Sequence, residues 1–141
     1  MSPLLLDTNT CIHLLNDGNP EIKRRMRIHS PTQIFLCSVV KAELLYGARH
    51  SRRVSENLQL LERLFAPLSS VPFDDRSAEE YGVIRAQLAA ECAPIGPNDL
   101  MIAAIARSRD MTLITHNIDE FRRVTGLRLV DWEEPEGESA D

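Results

Sequence analysis

The chain has 141 residues, 43% of them hydrophobic and 26% charged, which is typical of one globular domain with a sizeable core. No apolar run is long enough to cross a bilayer, and the first residues lack the basic region and apolar length of a secretory signal. The cysteines (Cys11, Cys37 and Cys92) show no CxxC spacing, which disfavours a disulfide framework or a zinc site. We therefore expect a cytoplasmic protein with reduced cysteines and no membrane partner.

The net charge of −5 is unevenly distributed along the chain. Residues 133–141 contain five acids and no base, so 16 of the 21 acids remain to balance the 16 basic residues of the body. Fourteen of those bases are arginine, which binds phosphate through a planar, bidentate fork. They cluster at 23–27, 49–53 and 122–123. For any single cluster a solvated helix face is the more common explanation, so the charge permits nucleic-acid binding without establishing it.

Apolar runs alternate along the chain with longer segments of helical period. We predict strands over 3–8, 34–39, 69–74, 111–116 and 127–132, and helices over 10–16, 20–29, 39–49, 52–65, 75–92 and 98–109, with a helical turn at 117–123. Strands that are apolar without alternation, and that alternate with helices, indicate a parallel sheet covered on both faces. We therefore expect a single α/β domain over 1–132, followed by an acidic, disordered tail over 133–141.

Several residues are suited to begin helices. Ser38 and Asp74 are candidate N-caps for the third and fifth helices, and the spacing of Ser77 and Glu80 matches a capping box. Pro97 suits the first turn of the sixth helix, where Asn98 is the better cap by position. These assignments separate capping residues from side chains that need another explanation.

Two carboxylates lie where a buried residue is expected. Asp7 ends the first predicted strand, at the edge where parallel sheets bind ligands, although an aspartate there could also serve only as an N-cap. Glu43 lies inside the apolar arc of the third helix, four residues before Gly47. Because a buried carboxylate is costly when unpaired, Glu43 requires a metal ion or an arginine, and Arg85 is a candidate partner.

Further oxygen donors follow later in the chain. Asp99 lies in the first turn of the sixth helix, where the helix dipole alone could explain it, yet its face continues with apolar residues and is predicted to point inward. Asn117, Asp119 and Glu120 follow the fourth strand, beside His116. Oxygen donors from separated segments that converge at one sheet edge are typical of a site for Mg²⁺ or Mn²⁺. The histidines have no zinc-like spacing, so we expect an oxygen site.

Four segments of the chain together resemble the PIN-domain ribonucleases, in particular the VapC-type toxins of bacterial toxin–antitoxin pairs. These segments are LLLDTN, SVVKAELLYGA, GPNDLMIAAIA and LITHNIDEFRRVTGLRLVDW, and the resemblance extends to Trp132. It implies a five-stranded parallel sheet and a Mg²⁺- or Mn²⁺-dependent endoribonuclease whose acidic site maps onto Asp7, Glu43 and Asp99. It also implies a VapB-type antitoxin, a homodimer and an RNA substrate, for which tRNA is favoured.

One position departs from the pattern of this family. Many PIN domains carry a fourth acid after the fourth strand, where this chain has Asn117. Asn117 donates an oxygen without charge, so we include it in the predicted site and expect a weaker hold on any second metal ion. Asp119 or Glu120 could supply the missing charge.

Two alternatives remain at the level of the sequence. A phosphatase of the haloacid dehalogenase type also has an aspartate after its first strand, but it usually has a second aspartate two residues later, where Asn9 stands here. The other alternative is a PIN-like module with little or no catalytic activity that binds a protein partner.

Overall fold

The computed structural model describes residues 2–16 and 18–135. The strands are β1 (Leu4–Leu6), β2 (Ile34–Cys37), β3 (Ser69–Val71), β4 (Thr112–Ile114) and β5 (Arg128–Val130). The helices are α1 (Thr8–Leu15), α2 (Pro20–Ile28), α3 (Ser38–Arg49), α4 (Val54–Phe65), α5 (Asp75–Ala90), α6 (Pro97–Ser108) and the short α7 (Ile118–Phe121). A 3₁₀ turn, Pro31–Gln33, leads into β2. No helix among the described residues is long and apolar enough to span a membrane.

The five strands form one parallel sheet in the order β3-β2-β1-β4-β5. The predicted fold is therefore confirmed, although each strand is shorter than its apolar run. The chain moves outward from β1 through β2 to β3 and then returns to place β4 on the other side of β1. Since crossovers between parallel strands are right-handed, α1–α4 cover one face and α5–α7 the other. The reversal leaves a crevice at the carboxyl ends of β1 and β4, the usual ligand position in such sheets.

Burial explains why the central strands are apolar without alternation. Leu5, Leu6, Leu36, Leu113 and Ile114 have no exposed surface, because helices cover both faces of the sheet. On α6, Ile102 and the four residues that follow it are completely buried, so this helix lies in the core and not at the surface. Its small alanines let α5 pack closely against it.

The helix starts confirm two capping predictions and correct three. Asp74 caps α5 and accepts a hydrogen bond from Ser77 N, and Pro97 is the first residue of α6. Ser38 is the first residue of α3 and not its N-cap. The N-cap is Cys37, whose side chain forms no capping hydrogen bond. Ser77 is inside α5, so it forms no capping box with Glu80, which pairs with Arg107 instead. Gly96 precedes α6 in place of Asn98.

The beginning of the acidic tail lies against the domain. The backbone oxygen of Glu134 accepts a hydrogen bond of 2.7 Å from buried Arg25, and the Glu133 carboxylate lies 3.6 Å from His13 Nε2. Glu133 and Glu134 therefore contact α1 and α2. The disorder predicted for the rest of the tail, 136–141, lies outside the described residues.

Candidate active site

Asp7 combines two roles that the sequence left as alternatives. Its Oδ1 accepts a hydrogen bond of 2.9 Å from Thr10 N and so caps α1. Its backbone N–H donates to Ile114 O on β4 at 3.1 Å, which places Asp7 at the crevice between the two strands. The residue is only 5% exposed. Burial raises the pKa of Asp7, and hydrogen bonds from Thr115 and Thr10 partly oppose that rise.

Glu43 projects from α3, and both of its carboxylate oxygens are held by hydrogen bonds. Thr8 Oγ1 donates to Oε1, and Asn98 Nδ2 donates to Oε2 at 2.9 Å. The suggested arginine partner is absent, because Arg85 instead donates to the Tyr81 hydroxyl at 3.0 Å. Neutral donors from α1 and α6 therefore orient Glu43 without neutralising its charge.

Asp99 lies in the first turn of α6 and is half-buried, as its inward direction predicted. Its pKa is raised to about 7. Desolvation is the largest cause, followed by the hydrogen bond and the charge of Glu120 and then by the charges of Glu43 and Asp7. The three predicted acids therefore lie close enough at the crevice to perturb one another, as the sequence indicated.

Glu120, on α7, is the fourth acid of this cluster. Its Oε1 accepts a hydrogen bond from Gly96 N at 3.3 Å and its Oε2 accepts one from Asn117 Nδ2 at 3.2 Å. Burial opposes ionisation, but these bonds and the contact with Asp99 hold the pKa of Glu120 below its usual value.

Some of the residues after β4 contact the acidic cluster and others do not. Asn117 precedes α7, its side-chain amide donates to Glu120, and its backbone N–H donates to Thr115 Oγ1 at 2.9 Å. Asp119 does not belong to the site: its side chain is 90% exposed and pairs with Arg122 at 2.6 Å. His116 Nδ1 lies 2.9 Å from Asp131 Oδ2, and this carboxylate raises the pKa of His116. Of the two suggested substitutes for a missing acid, Glu120 is the one that reaches Asp99.

The acidic cluster is suited to a divalent cation by its chemistry. No ion pair among residues 2–16 and 18–135 neutralises Asp7, Glu43 or Asp99, and desolvation together with the neighbouring acids raises the pKa of Asp99. Oxygen ligands of this kind suit Mg²⁺ or Mn²⁺. As the side chains stand, no three His, Cys, Asp or Glu residues in the described chain are arranged to hold a metal ion. Binding a cation would therefore require these carboxylates to rotate toward one another.

The sequence did not identify the neutral residues that orient the acids. Thr8 and Asn98 contact Glu43, and Thr115 contacts Asp7. The adjacency of Thr8 to Asp7, and of Asn98 to Asp99, was visible in the sequence. Their shared target was not, because Glu43 is 35 positions from Thr8 and 55 from Asn98.

Comparisons with known proteins agree on one family. The model of the PIN domain family matches residues 4–127. The tRNA(fMet)-specific endonuclease VapC of Salmonella typhimurium is 36% identical over 132 residues, which cover 94% of this chain and 99% of the relative. Ribonuclease VapC2 of Rickettsia felis is 32% identical over 130 residues, covering 92% of this chain and 97% of the relative.

Solved structures give the same result for the fold. A chain in the crystal structure of DNA-bound VapBC from Salmonella typhimurium superposes with a TM-score of 0.89 and 36% identity, covering 94% of this chain and 99% of that one. A chain of VapBC2 from Rickettsia felis, bound to a DNA fragment from their promoter, superposes with a TM-score of 0.87 and 32% identity. The latter match covers 92% of this chain and 98% of that one.

Proposed function

The chain belongs to the PIN-domain family, and from this we propose that it is an endoribonuclease that acts as the toxin of a toxin–antitoxin pair. The convergence of Asp7, Glu43 and Asp99 on one crevice, with Glu120 beside them, is the observation that carries the proposal. The match to the PIN family over 4–127 leaves no support for a haloacid dehalogenase-type phosphatase, and Asn9 stands where that chemistry usually has its second aspartate.

The proposed cofactor is Mg²⁺ or Mn²⁺, held by Asp7 and Asp99 with Glu43 completing the set of ligands. Such an ion lowers the pKa of water and offsets negative charge on the phosphoryl group under attack. The anionic cluster supports this assignment, because no basic side chain in the described residues forms an ion pair with its three central acids. Asn117 contributes indirectly, by holding Glu120 against Asp99.

As an alternative to binding the ion, Glu43 would orient the attacking water and accept its proton. Its orientation is fixed by Thr8 and Asn98, and a positioned carboxylate of this kind can act as a general base. In-line attack by water would leave a 5′-phosphate and a 3′-hydroxyl. Asp99 would have to be ionised to bind a cation, because oxygen ligands of Mg²⁺ and Mn²⁺ are carboxylates and not carboxylic acids.

The favoured substrate is tRNA. The relative from Salmonella typhimurium is described as specific for tRNA(fMet), so the initiator tRNA is the first substrate to test. Proteins that recognise RNA by sequence usually contact unpaired loops whose bases can be splayed out. An enzyme acting on tRNA would work in the cytoplasm, where its substrate is found.

The proposed protein partners are a VapB-type antitoxin and a second copy of the chain. The structures of Salmonella typhimurium and Rickettsia felis that superpose on this chain are described as VapBC complexes. The VapC relatives and the VapBC complexes together support a toxin whose activity is controlled by an antitoxin bound to it. A homodimer is the proposed oligomeric state of the toxin.

The test is cleavage of tRNA by the purified protein, free of antitoxin, with Mg²⁺ or Mn²⁺. We expect discrete fragments with 5′-phosphates, abolished by EDTA and by Asp7→Asn or Asp99→Asn, because each substitution removes a proposed metal ligand. Asp119→Asn is the matched control: it also removes one carboxylate, but at a side chain outside the site, and should cleave like the wild type.

Equal behaviour of the wild type and both site variants on tRNA, rRNA and mRNA would contradict the nuclease assignment, provided that all three are folded. The acidic crevice would then belong to a PIN-like binding module. Sensitivity to the variants without sensitivity to EDTA would instead contradict the role of the metal ion.

A further inference from the structure

One face of α3 leads from the acidic site to an exposed pair of aromatic rings. Glu43, Tyr46, Gly47 and His50 are spaced by three, four and seven residues, so they lie on the same side of the helix. Tyr46 is 66% exposed. Its ring stacks on that of His50, with centroids 5.4 Å apart and planes inclined by 14°. An exposed tyrosine is thus supported from behind by a second flat ring.

A surface depression connects Tyr46 to the proposed catalytic residues. It has a volume of about 630 Å³, and its walls include Val39, Glu43, Tyr46, Asn98 and Met101. That volume lies within the range of about 300–1,000 Å³ common for ligand sites. Since Glu43 and Asn98 belong to this wall as well as to the acidic site, a ligand in the depression would be continuous with a phosphodiester at the crevice.

The charges around Tyr46 suit a nucleic-acid ligand. Glu43 is the only acid in α3, whereas Arg49 lies three residues after Tyr46 and Arg52 follows in the next loop. Both arginines are exposed. The surface therefore changes from acidic at the crevice to basic beyond Tyr46, as a strand leaving a metal-dependent active site would require.

A docking surface for a large apolar partner is less consistent with this face. The other exposed large apolar residue of α3, Leu45, is 40% exposed, but it lies about 200° around the helix from Glu43. Gly47 presents no side chain, and a Cβ added there would meet nothing within 4 Å. On the side of the depression at Tyr46 the face offers one flat ring, which fits a single planar group. The Gly47 side opens on a separate, mostly apolar groove whose walls include Ile12 and Leu60.

We propose that Tyr46, supported by His50, is a stacking platform for an unpaired RNA base next to the phosphodiester that is cleaved. This inference rests on the proposed ribonuclease function. The axial rise from Glu43 to Tyr46 is about 4.5 Å, comparable to the spacing of about 3.4 Å between nucleotides of one strand. Stacking uses the face that every base has, so the platform requires a base without selecting strongly among the four.

The experiment combines variants of the protein with variants of the RNA. The probe is a single-stranded RNA of about ten nucleotides, within the usual site size of 4–16, carrying the sequence around the mapped cleavage site. Each position is replaced in turn by 2-aminopurine, whose fluorescence is quenched by stacking, and by an abasic residue. Binding is measured with EDTA present, and cleavage with Mn²⁺. The proteins are the wild type, Tyr46→Phe, Tyr46→Ala and the control Leu45→Ala.

We expect quenching at one nucleotide beside the cleavage site with the wild type, Tyr46→Phe and Leu45→Ala, and its loss with Tyr46→Ala. Removing that base should lower kcat/KM of the wild type by about ten- to hundredfold, in line with the usual strength of base–aromatic stacking. Tyr46→Ala should cleave the intact RNA as slowly as the wild type cleaves the abasic one, with no further loss on the abasic RNA.

Other outcomes separate the two proposals. Binding and position-specific quenching without cleavage would contradict the ribonuclease function but keep the platform as an RNA-binding site. The platform would be overturned if Tyr46→Ala cleaved the intact RNA as fast as the wild type does. It would also be overturned if removal of the base lowered kcat/KM equally in both proteins. Light scattering could also show that Tyr46→Ala is a monomer where the wild type is a dimer. If Tyr46→Ala then loses RNA binding only at concentrations where it is monomeric, this face would be assigned to a second copy of the chain.

Discussion

At the scale of single residues, the site is held in an electrostatically unfavourable state. Asp7, Glu43, Asp99 and Glu120 lie close enough to perturb one another, and the raised pKa of Asp99 records the cost. Neutral donors (Thr8, Asn98, Thr115 and Asn117) orient the acids without removing their charge. Perturbed carboxyls in a cleft are typical of functional sites, whereas a purely structural cluster would be paired with arginines.

Asp99→Asn should therefore stabilise the protein while abolishing cleavage. In the folded state the pKa of Asp99 is about 7, above its ordinary value of 3.8, so ionised Asp99 destabilises the fold at pH 8. After allowing for solvent screening of this half-exposed group, we expect a gain of about 1–2 kcal/mol in the free energy of unfolding with EDTA present. Urea denaturation measures this quantity.

The dependence of this gain on pH tests its cause. Below about pH 4 the carboxyl is protonated in both the folded and the unfolded state, so the gain should vanish. It should grow as the pH rises to about 7, because the unfolded state then releases a proton that the folded state retains. Asp119→Asn should show no such trend, and a gain independent of pH would contradict its assignment to the raised pKa of Asp99.

At the scale of the secondary structure elements, one exposed and one buried face decide how each helix packs. α5 illustrates this with adjacent residues: Ile84 has no exposed surface, whereas Val83 is 58% exposed. Ile84 belongs to the core between α5 and α6, the helix that carries Asp99. The position of Asp99 at the crevice therefore depends on packing that begins on another helix.

Ile84→Ala should lower the free energy of unfolding by about 2–5 kcal/mol, because it removes buried surface and leaves a cavity. Val83→Ala, the matched control at the next position, should change it by no more than about 0.5 kcal/mol, since the side chain is solvated and alanine favours helices. Guanidinium denaturation followed by circular dichroism measures both variants. Equal losses in the two variants would show that the face assigned to α5 is wrong.

At the scale of the whole molecule, the order of the strands brings together residues from four separate segments. Asp7 follows β1, Glu43 lies on α3 after β2, Asp99 begins α6 before β4, and Glu120 follows β4. The reversal between β1 and β4 leaves a crevice that these segments surround. A cation at this position would connect both halves of the sheet.

Binding of Mn²⁺ should therefore stabilise the whole fold. At a hundredfold excess over its Kd, a ligand specific for the folded state adds about 2.7 kcal/mol, which raises Tm in a thermal scan. Asp7→Asn and Asp99→Asn should largely lose this response, whereas Asp119→Asn should keep it. An equal rise in Tm for all four proteins would indicate that the ion binds elsewhere.

The sequence by itself determined the type of fold and the three central acids. Apolar runs without alternation predicted buried parallel strands, and Asp7, Glu43 and Asp99 stood out because each carboxylate interrupts an apolar pattern. Asp7 is buried in the structure, whereas Glu43 and Asp99 are half-buried. The periodicity of apolar residues predicts which side chains point inward, because the direction of a side chain on a helix or strand depends only on neighbouring residues.

Only the tertiary structure decided the partners of those acids. It shows that Glu120, and not Asp119, contacts Asp99, and that Asn98 donates to Glu43 instead of capping α6. It also shows that the stacked rings on α3 lie beside the crevice. The physical reason is that these contacts join residues up to 55 positions apart. Their distances are set by strand order and helix packing, which no local pattern in the sequence specifies.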